Sequence, residues 1–459
     1  MKNRSEAKAV SADKYNDNAK FARNLRSGEF KVAVYGLGHV GSPLASAWLR
    51  AGAHVIGVDK SPEVLENARK GRTHVYEPGV REAFSKALKE KRFYVYSDPI
   101  KASQHSHFKL ICVPVLLTDS FSADLVAVKQ VATSIGRGLK KGDVVSLNPS
   151  VPPGTSEDIV LPILEEESGL KIEQDFYMVY NPERIYEGRA IEDLEERYPA
   201  IVAGAGAKSL EIGAKLYSLV AKKGVIKMDN MRTAETEKLL EGVYRDVNIA
   251  LANEMAKFCE RVGVDFWEAR EAANSQPFCH IHKPGAGVGG ACIPVYPQFI
   301  LHAAHMSKVE CNLTSFGRNV NESMPAYCVE QAVKLLGATD VSKSKVALLG
   351  LAFRGGVSDT RLSPTYKVIE ELKKLKVKRI RVHDPLVTSD PNLPQDIMLT
   401  SNLSKAVKDA DLVMLISDHP EYRNLTHKEL DNASVYDGRG ILDRSRFAAG
   451  RFASIGRPS

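Results

Sequence analysis

Short apolar runs, each closed by glycine, proline or an acidic residue, recur along the chain with helically spaced stretches between them. The first, Lys31-Val-Ala-Val-Tyr35, runs into Gly36-x-Gly38-x-x-Gly41; a helical pattern from Pro43 to Ala51 and a second run, His54-Val-Ile-Gly-Val-Asp59, follow. Further runs lie at Phe108–Pro114 and Asp143–Leu147, and another opens at Phe176 and leads into a loop with Glu183 and Arg184. Thr233 to Val262 then reads as one helix, longer than globular helices usually are. A second helical stretch carries Arg318 toward Gly337, after which the alternation restarts at Lys345–Arg354, Arg379–Pro385, Asp411–Ser417 and Ala433–Asp437. Runs apolar on both faces and alternating with helices predict parallel sheets covered on both sides.

The first turn carries specific chemistry. Glycines after a strand let a pyrophosphate lie on the turn, and the following helix N-terminus attracts its charge. Asp59, closing the next strand, suits ribose hydroxyls and repels a 2′-phosphate, which favours NAD over NADP. The expected architecture is therefore α/β, with two Rossmann-like doubly wound domains joined by a long central helix. The segments are an arm over 1–30, a domain over 31–230, a central helical domain over 231–330 and a last domain over 331–459. Thr155 with Asp158 fits a helix capping box. Lys238, Gly242 and Arg245 share one face of the long helix.

One stretch concentrates glycine and proline around a thiol: Lys283-Pro-Gly-Ala-Gly-Val-Gly-Gly-Ala-Cys-Ile-Pro-Val-Tyr-Pro297. Gly285, Gly287, Gly289 and Gly290 permit close approach to the main chain, and the prolines restrict the loop and keep it from continuing as a helix. A pre-set loop presenting Cys292 suits covalent catalysis through sulfur; a glycine turn around a buried cysteine is the structural alternative.

Composition narrows the partners. The net charge of +7, from 63 Lys+Arg against 56 Asp+Glu, is spread along the chain, and no basic block is interleaved with aromatics, so nucleic acid is not expected. The six cysteines form no CxxC pair, which argues for reduced thiols in the cytoplasm and against a zinc site or any other metal. No apolar run reaches the roughly 20 residues of a membrane span, and Met1–Phe30 lacks the apolar core of a signal peptide.

Taken in order, the motifs resemble the UDP-glucose/GDP-mannose dehydrogenase family of nucleotide-sugar 6-dehydrogenases, from about Lys31 to the C-terminus. The matching stretches are the glycine turn, Tyr76-Glu-Pro-Gly79, Cys112-Val-Pro114, Val151-Pro-Pro-Gly-Thr155, Asn181-Pro-Glu-Arg184, Ala234-Glu235 with Lys238, the Gly287–Pro294 loop, and Asp359-Thr-Arg-Leu-Ser-Pro364. Arg245–Glu254 and the style of the cysteine loop look most like the branch acting on UDP-N-acetylmannosamine.

The resemblance implies NAD-dependent four-electron oxidation of a sugar C6 hydroxyl to the acid, in a cytoplasmic homodimer serving polysaccharide biosynthesis. It implies Cys292 as nucleophile, Lys238 at the developing oxyanion, Glu183 as base and Ser150 on the attacking water. NAD falls to Gly36, Gly38, Val40, Gly41, Asp59, Val113, Pro114 and Ser150. The UDP-sugar falls to Arg184, Arg245, Asn248, Gly287, Gly289, Gly290, Arg318 and Arg361, the last across a dimer contact.

Departures from the family pattern fall at the chemistry. Gly242 stands where an asparagine is usual, Ala291 where a histidine is common, and Tyr296 where an aspartate is usual; Val115, Asn148 and Ser358 replace threonine, glutamate and aspartate. Losing one oxyanion donor costs about 10²–10³ in rate. The alternatives to a UDP-N-acetylhexosamine dehydrogenase are therefore a UDP-glucose 6-dehydrogenase or a catalytically impaired nucleotide-sugar-binding homologue.

Overall fold

The computed structural model describes residues 18–75 and 77–458, so Tyr76 and most of the arm lie outside the described residues. The chain divides into two compact units, 1–239 and 240–459, with the boundary inside the helix Met231–Val262, here called the central helix.

In the first unit the strands are β1 (Lys31–Tyr35), β2 (His54–Val58), β3 (Phe93–Tyr96), β4 (Phe108–Ile111), β7 (Val144–Leu147), β8 (Tyr177–Tyr180), β9 (Ala200–Gly204) and β10 (Val225–Met228), with a short hairpin of β5 (Leu116–Leu117) and β6 (Ala123–Asp124). They form one sheet in the order β10-β9-β8-β7-β4-β1-β2-β3, parallel except where β8 meets β9. From β3 through β8 this is the doubly wound order, reversing between β1 and β4. Side chains alternate across the sheet, so Val32 and Val34 join one core while Ala33 and Tyr35 join another. Both faces are thus dry, and β1 reads as a continuous apolar run. The described part of the arm is a helix, Asn18–Ser27, whose Phe21 and Leu25 enter the first of these cores.

The second unit repeats the plan. Strands β11 (Lys345–Leu349), β12 (Arg379–His383), β13 (Met398–Thr400), β14 (Leu412–Leu415), β15 (Ser434–Asp437) and β16 (Phe452–Ser454) form an all-parallel sheet. Its order is β13-β12-β11-β14-β15-β16, the doubly wound arrangement again. Val346 and Leu348 face one core, Ala347 and Leu349 the other. The expected pair of Rossmann-like domains and the long helix are present.

Two local expectations need correction. Thr155 is no cap: its backbone is already helical and its hydroxyl donates to the Pro152 carbonyl at 2.6 Å. The buried Glu235 carboxylate takes that role, accepting from the Gly154 and Ser156 amides at 2.5 and 2.7 Å. Pro297 does not stop a helix either. It sits in the first turn of Tyr296–Met306, where a missing N–H removes no helical bond.

Candidate active site

The glycine turn after β1 has the shape a dinucleotide needs. Gly36 has φ +96°, and a Cβ at Gly41 would fall 1.7 Å from the Gly36 carbonyl oxygen, so only glycine closes the turn onto its helix. At Gly38 a Cβ would meet nothing within 4 Å, which leaves the main chain open to a ligand. Asp59, just past β2, accepts from the Leu37 amide at 2.8 Å and the Ser61 amide at 2.9 Å. Those bonds fix the carboxylate beside the turn. Val40 precedes the first residue of the helix Gly41–Arg50. These residues fit NAD.

Because β1, β4, β7 and β8 run parallel, their C-terminal ends share one edge of the sheet. That edge brings together the glycine turn, Val113 and Pro114 after β4, Ser150 after β7, and Glu183 with Arg184 after β8. Ser150 and Glu183 are buried. The Glu183 carboxylate accepts from the Ile185 amide at 3.1 Å, and its charge, with burial as the larger cause, pushes the Cys112 thiol up. Arg184 lies over the Tyr198 ring, 5.6 Å from its centroid. Lys238 is buried one turn after Glu235, whose amide contacts pin the start of the central helix to the loop after β7. Asn148 donates to Asn181 and to the Tyr217 hydroxyl at 2.9 Å, which fastens the ends of β7 and β8 together.

In the second unit, Cys292 is exposed at the end of the glycine loop. Gly290 donates to the Arg361 carbonyl at 2.9 Å, and Gly289 packs so closely that a Cβ would fall 2.6 Å from the Leu362 carbonyl oxygen. Gly287, φ +125°, lies between Pro325 and Pro364. The loop and the 353–364 turn are therefore one packed structure. Arg361 is exposed and its guanidinium grips Asp359 through both carboxylate oxygens.

Two other predicted binding residues, Arg318 and Asn248, hydrogen-bond within the scaffold. Arg318 is buried, with Asp246 at 2.6 Å and Glu322 at 2.7 Å. Burial pushes the Asp246 carboxyl up and the Arg318 guanidinium down, the pairing with each other opposing both shifts. Asn321 and Asn253 extend this network to the Gly285 amide, which Asn253 accepts at 2.8 Å. Asn248 spends its amide on the His280 carbonyl and the His282 amide, both at 2.8 Å. Arg245 is exposed near His282, whose imidazole is pushed down to about 4 by burial first and then by Arg245.

The reversal point of the second sheet, between β11 and β14, carries a cluster that sequence reasoning did not single out. Asp384 accepts from the Leu351 and Ala352 amides at 2.8 and 2.9 Å, repeating the role of Asp59. Arg439 approaches Asp418 at 3.3 Å and holds its carboxyl well below the usual range; Asp418 also accepts from the Gly355 amide. Arg439 lies against Gly285, where a Cβ would fall 2.8 Å from its guanidinium.

With both sheets and both ligand edges in view, comparison with known proteins is direct. The NAD binding domain of the UDP-glucose/GDP-mannose dehydrogenase family matches residues 30–221, its central domain residues 232–323, and its UDP binding domain residues 347–444. The chain belongs to the UDP-glucose/GDP-mannose dehydrogenase family. A UDP-N-acetyl-D-mannosamine dehydrogenase of Pyrococcus horikoshii is 34% identical over 418 residues, 90% of this chain and 96% of that protein. An NDP-N-acetyl-D-galactosaminuronic acid dehydrogenase of Ralstonia nicotianae is 32% identical over 91% and 97% of the two chains. The solved structure of a Pyrococcus horikoshii UDP-D-ManNAc dehydrogenase superposes with TM-score 0.85 at 32% identity, covering 93% of this chain and 99% of that one.

As a member of the UDP-glucose/GDP-mannose dehydrogenase family, the protein is an NAD-dependent nucleotide-sugar dehydrogenase. The family's UDP binding domain spans the second sheet's reversal point, where Arg439 and Asp418 lie. No described helix is long and apolar enough to cross a membrane. Arg439 was legible in principle: Asp437-Gly-Arg-Gly440 is a glycine turn directly after a buried strand.

Proposed function

We propose that the protein oxidises the C6 hydroxyl of a UDP-N-acetylhexosamine, with UDP-N-acetylmannosamine favoured, to the uronate in two successive steps. The sugar assignment is supported by relatives named UDP-N-acetyl-D-mannosamine dehydrogenase at 30–34% identity over about nine-tenths of the chain. The observation that carries the chemistry is the exposure of Cys292. Cys112, Cys259 and Cys328 are buried and burial raises their thiols, whereas Cys292 stands exposed on a loop held in place by its neighbours.

Bound NAD supplies the hydride acceptor, one molecule for each oxidation. Once C6 is an aldehyde, Cys292 Sγ adds to it and holds the carbon as a thiohemiacetal; departure of the remaining hydrogen as hydride leaves a thioester. Water then breaks the C–S bond, returning the thiol and releasing the carboxylate. Lys238 opposes the negative charge on the C6 oxygen, Glu183 takes the proton of the attacking water, and Ser150 holds that water by hydrogen bond. Gly36, Gly38, Val40, Gly41, Asp59, Val113 and Pro114 hold the dinucleotide, and Arg184, Arg361 and the Gly287–Gly290 loop bind the sugar nucleotide. Arg245, exposed on the central helix, is a further contact for the sugar nucleotide, while Asn248 and Arg318 contribute by holding that loop and its supports.

The working segments are 1–30, 31–230, 231–330 and 331–459. A homodimer is supported by one exposed apolar stripe on the central helix, Leu240, Tyr244, Leu251, Phe258 and Val262, with Leu313 and Phe316 also exposed. A cytoplasmic setting is the reading that goes with six cysteines lacking any CxxC pair. A nucleotide-linked aminouronate is a donor for charged polysaccharide. Replacing Cys292 by serine tests the mechanism: NADH formation from UDP-N-acetylmannosamine stops short of the acid, whereas wild-type acid yield in that variant contradicts it.

A further inference from the structure

Gly242 is buried in the central helix, and the buried side chain of Tyr296 lies directly on it. A Cβ at 242 would fall 2.5 Å from Tyr296 Cδ2, 2.9 Å from its Cβ and 3.1 Å from its Cγ. A ring can swing away from an intruding methyl group. The tyrosine Cβ cannot, because it is fixed to the main chain, so a side chain at 242 displaces the backbone of residue 296 itself.

That backbone supports the thiol-bearing residue. The amides of Val295 and Tyr296 both donate to the Cys292 carbonyl at 3.0 Å, so Cys292 and Tyr296 are one turn apart in the same hydrogen-bonded structure. Val295, Pro297 and Phe299 are buried as well, which leaves this first turn little freedom. Upstream of the cysteine the loop is tied elsewhere, by Gly290 to the Arg361 carbonyl. Cys292 is therefore held at both ends: the loop meets the central helix upstream through the Gly285 amide on Asn253, and the tie nearest the thiol is the downstream one, through Tyr296 on Gly242.

We propose that Tyr296, seated on Gly242, is a positioning residue that sets where Cys292 stands against the central helix, and that position 242 must be glycine for this reason. The proposal rests on the reading of Cys292 as nucleophile. It makes the glycine and the tyrosine one coupled unit: neither departure from the family pattern has an effect that can be read without the other.

The test is a double-mutant cycle with Gly242→Ala, Tyr296→Ala and the pair, in the full-length enzyme. Steady-state NADH formation is read together with the rate at which iodoacetamide alkylates Cys292, located by peptide mass spectrometry. A displacement near 1 Å costs about 10²-fold in rate, so Gly242→Ala lowers kcat by about that factor while KM for the UDP-sugar stays within about twofold, and the alkylation rate of Cys292 changes. Removing the ring relieves two of the three close approaches, so the double variant regains about tenfold in kcat over Gly242→Ala. Wild-type kcat and alkylation in Gly242→Ala, or a double variant that loses the product of the two single effects, overturns the proposal. If Gly242→Ala does not fold, Tyr296→Ala carries the test: it vacates the seat and lowers kcat at constant KM, and an unchanged kcat overturns the proposal. Full turnover by Cys292→Ser would remove the nucleophile reading separately, and the alkylation comparison would still report on the seat.

Discussion

Glu235 makes the stability of the first unit depend on pH in an unusual direction. Its carboxylate has no exposed surface and accepts from two amides, at Gly154 and Ser156, yet burial outweighs those bonds and pushes the acid up to about 7. In the unfolded chain the same acid loses its proton near 4.5. Between those values the folded protein holds a proton that the unfolded chain has released, so stability falls as pH rises through the window. The shift is worth about 3 kcal/mol across it. Glu235→Gln removes the titration and leaves one of the two amides facing an NH₂ group, a cost of about 1–3 kcal/mol. The variant is therefore less stable than wild type at pH 5, and the deficit closes or reverses by pH 8. Trp48, buried in the first core, reports on this unit in urea unfolding once the other tryptophan is removed by Trp267→Phe. A stability difference between wild type and Glu235→Gln that stays constant from pH 5 to 8 would refute the reasoning.

Two further outcomes follow from the site geometry. Asp59→Asn removes the charge that opposes a 2′-phosphate while keeping one acceptor for the turn amides, so the NAD-to-NADP ratio of kcat/KM falls by about tenfold or more; an unchanged ratio removes Asp59 from cofactor choice. His282, pushed down to about 4 by burial, Arg245, His280 and Arg270, stays neutral in the folded protein while the unfolded chain charges near 6.5. Stability is therefore lost as pH falls from about 6.5 to 4, and His282→Gln flattens that limb of a Tm-versus-pH curve; an identical limb in the variant contradicts the assignment.

The fold was legible because its signals are local and repeated. β1 and β11 are apolar on both faces, each runs into a glycine at positive φ, and the next strand of each βαβ unit is closed by an acid, Asp59 or Asp384. The glycine turn and the exposed cysteine loop were legible for the same reason, since steric demands confine Gly36, Gly41, Gly289 and Gly290 to glycine. What the sequence concealed depends on pairing between distant residues. Thr155 looks like a cap in its own segment, and only the fold brings Glu235, 81 positions after Gly154, to the amides of that turn. Arg318 looks like an anion-binding residue until Asp246 and Glu322 are seen to hold it. Gly242 and Tyr296 read as two independent losses because nothing in their spacing shows that one occupies the room left by the other.

The most direct test of the proposed activity is the amount of NADH formed per sugar consumed, with UDP-N-acetylmannosamine, UDP-N-acetylglucosamine and UDP-glucose each as sole substrate. The proposed activity gives two NADH per sugar and a clear preference for UDP-N-acetylmannosamine in kcat/KM. One NADH with free aldehyde accumulating, or no NADH from any of the three while UDP still binds, would contradict it.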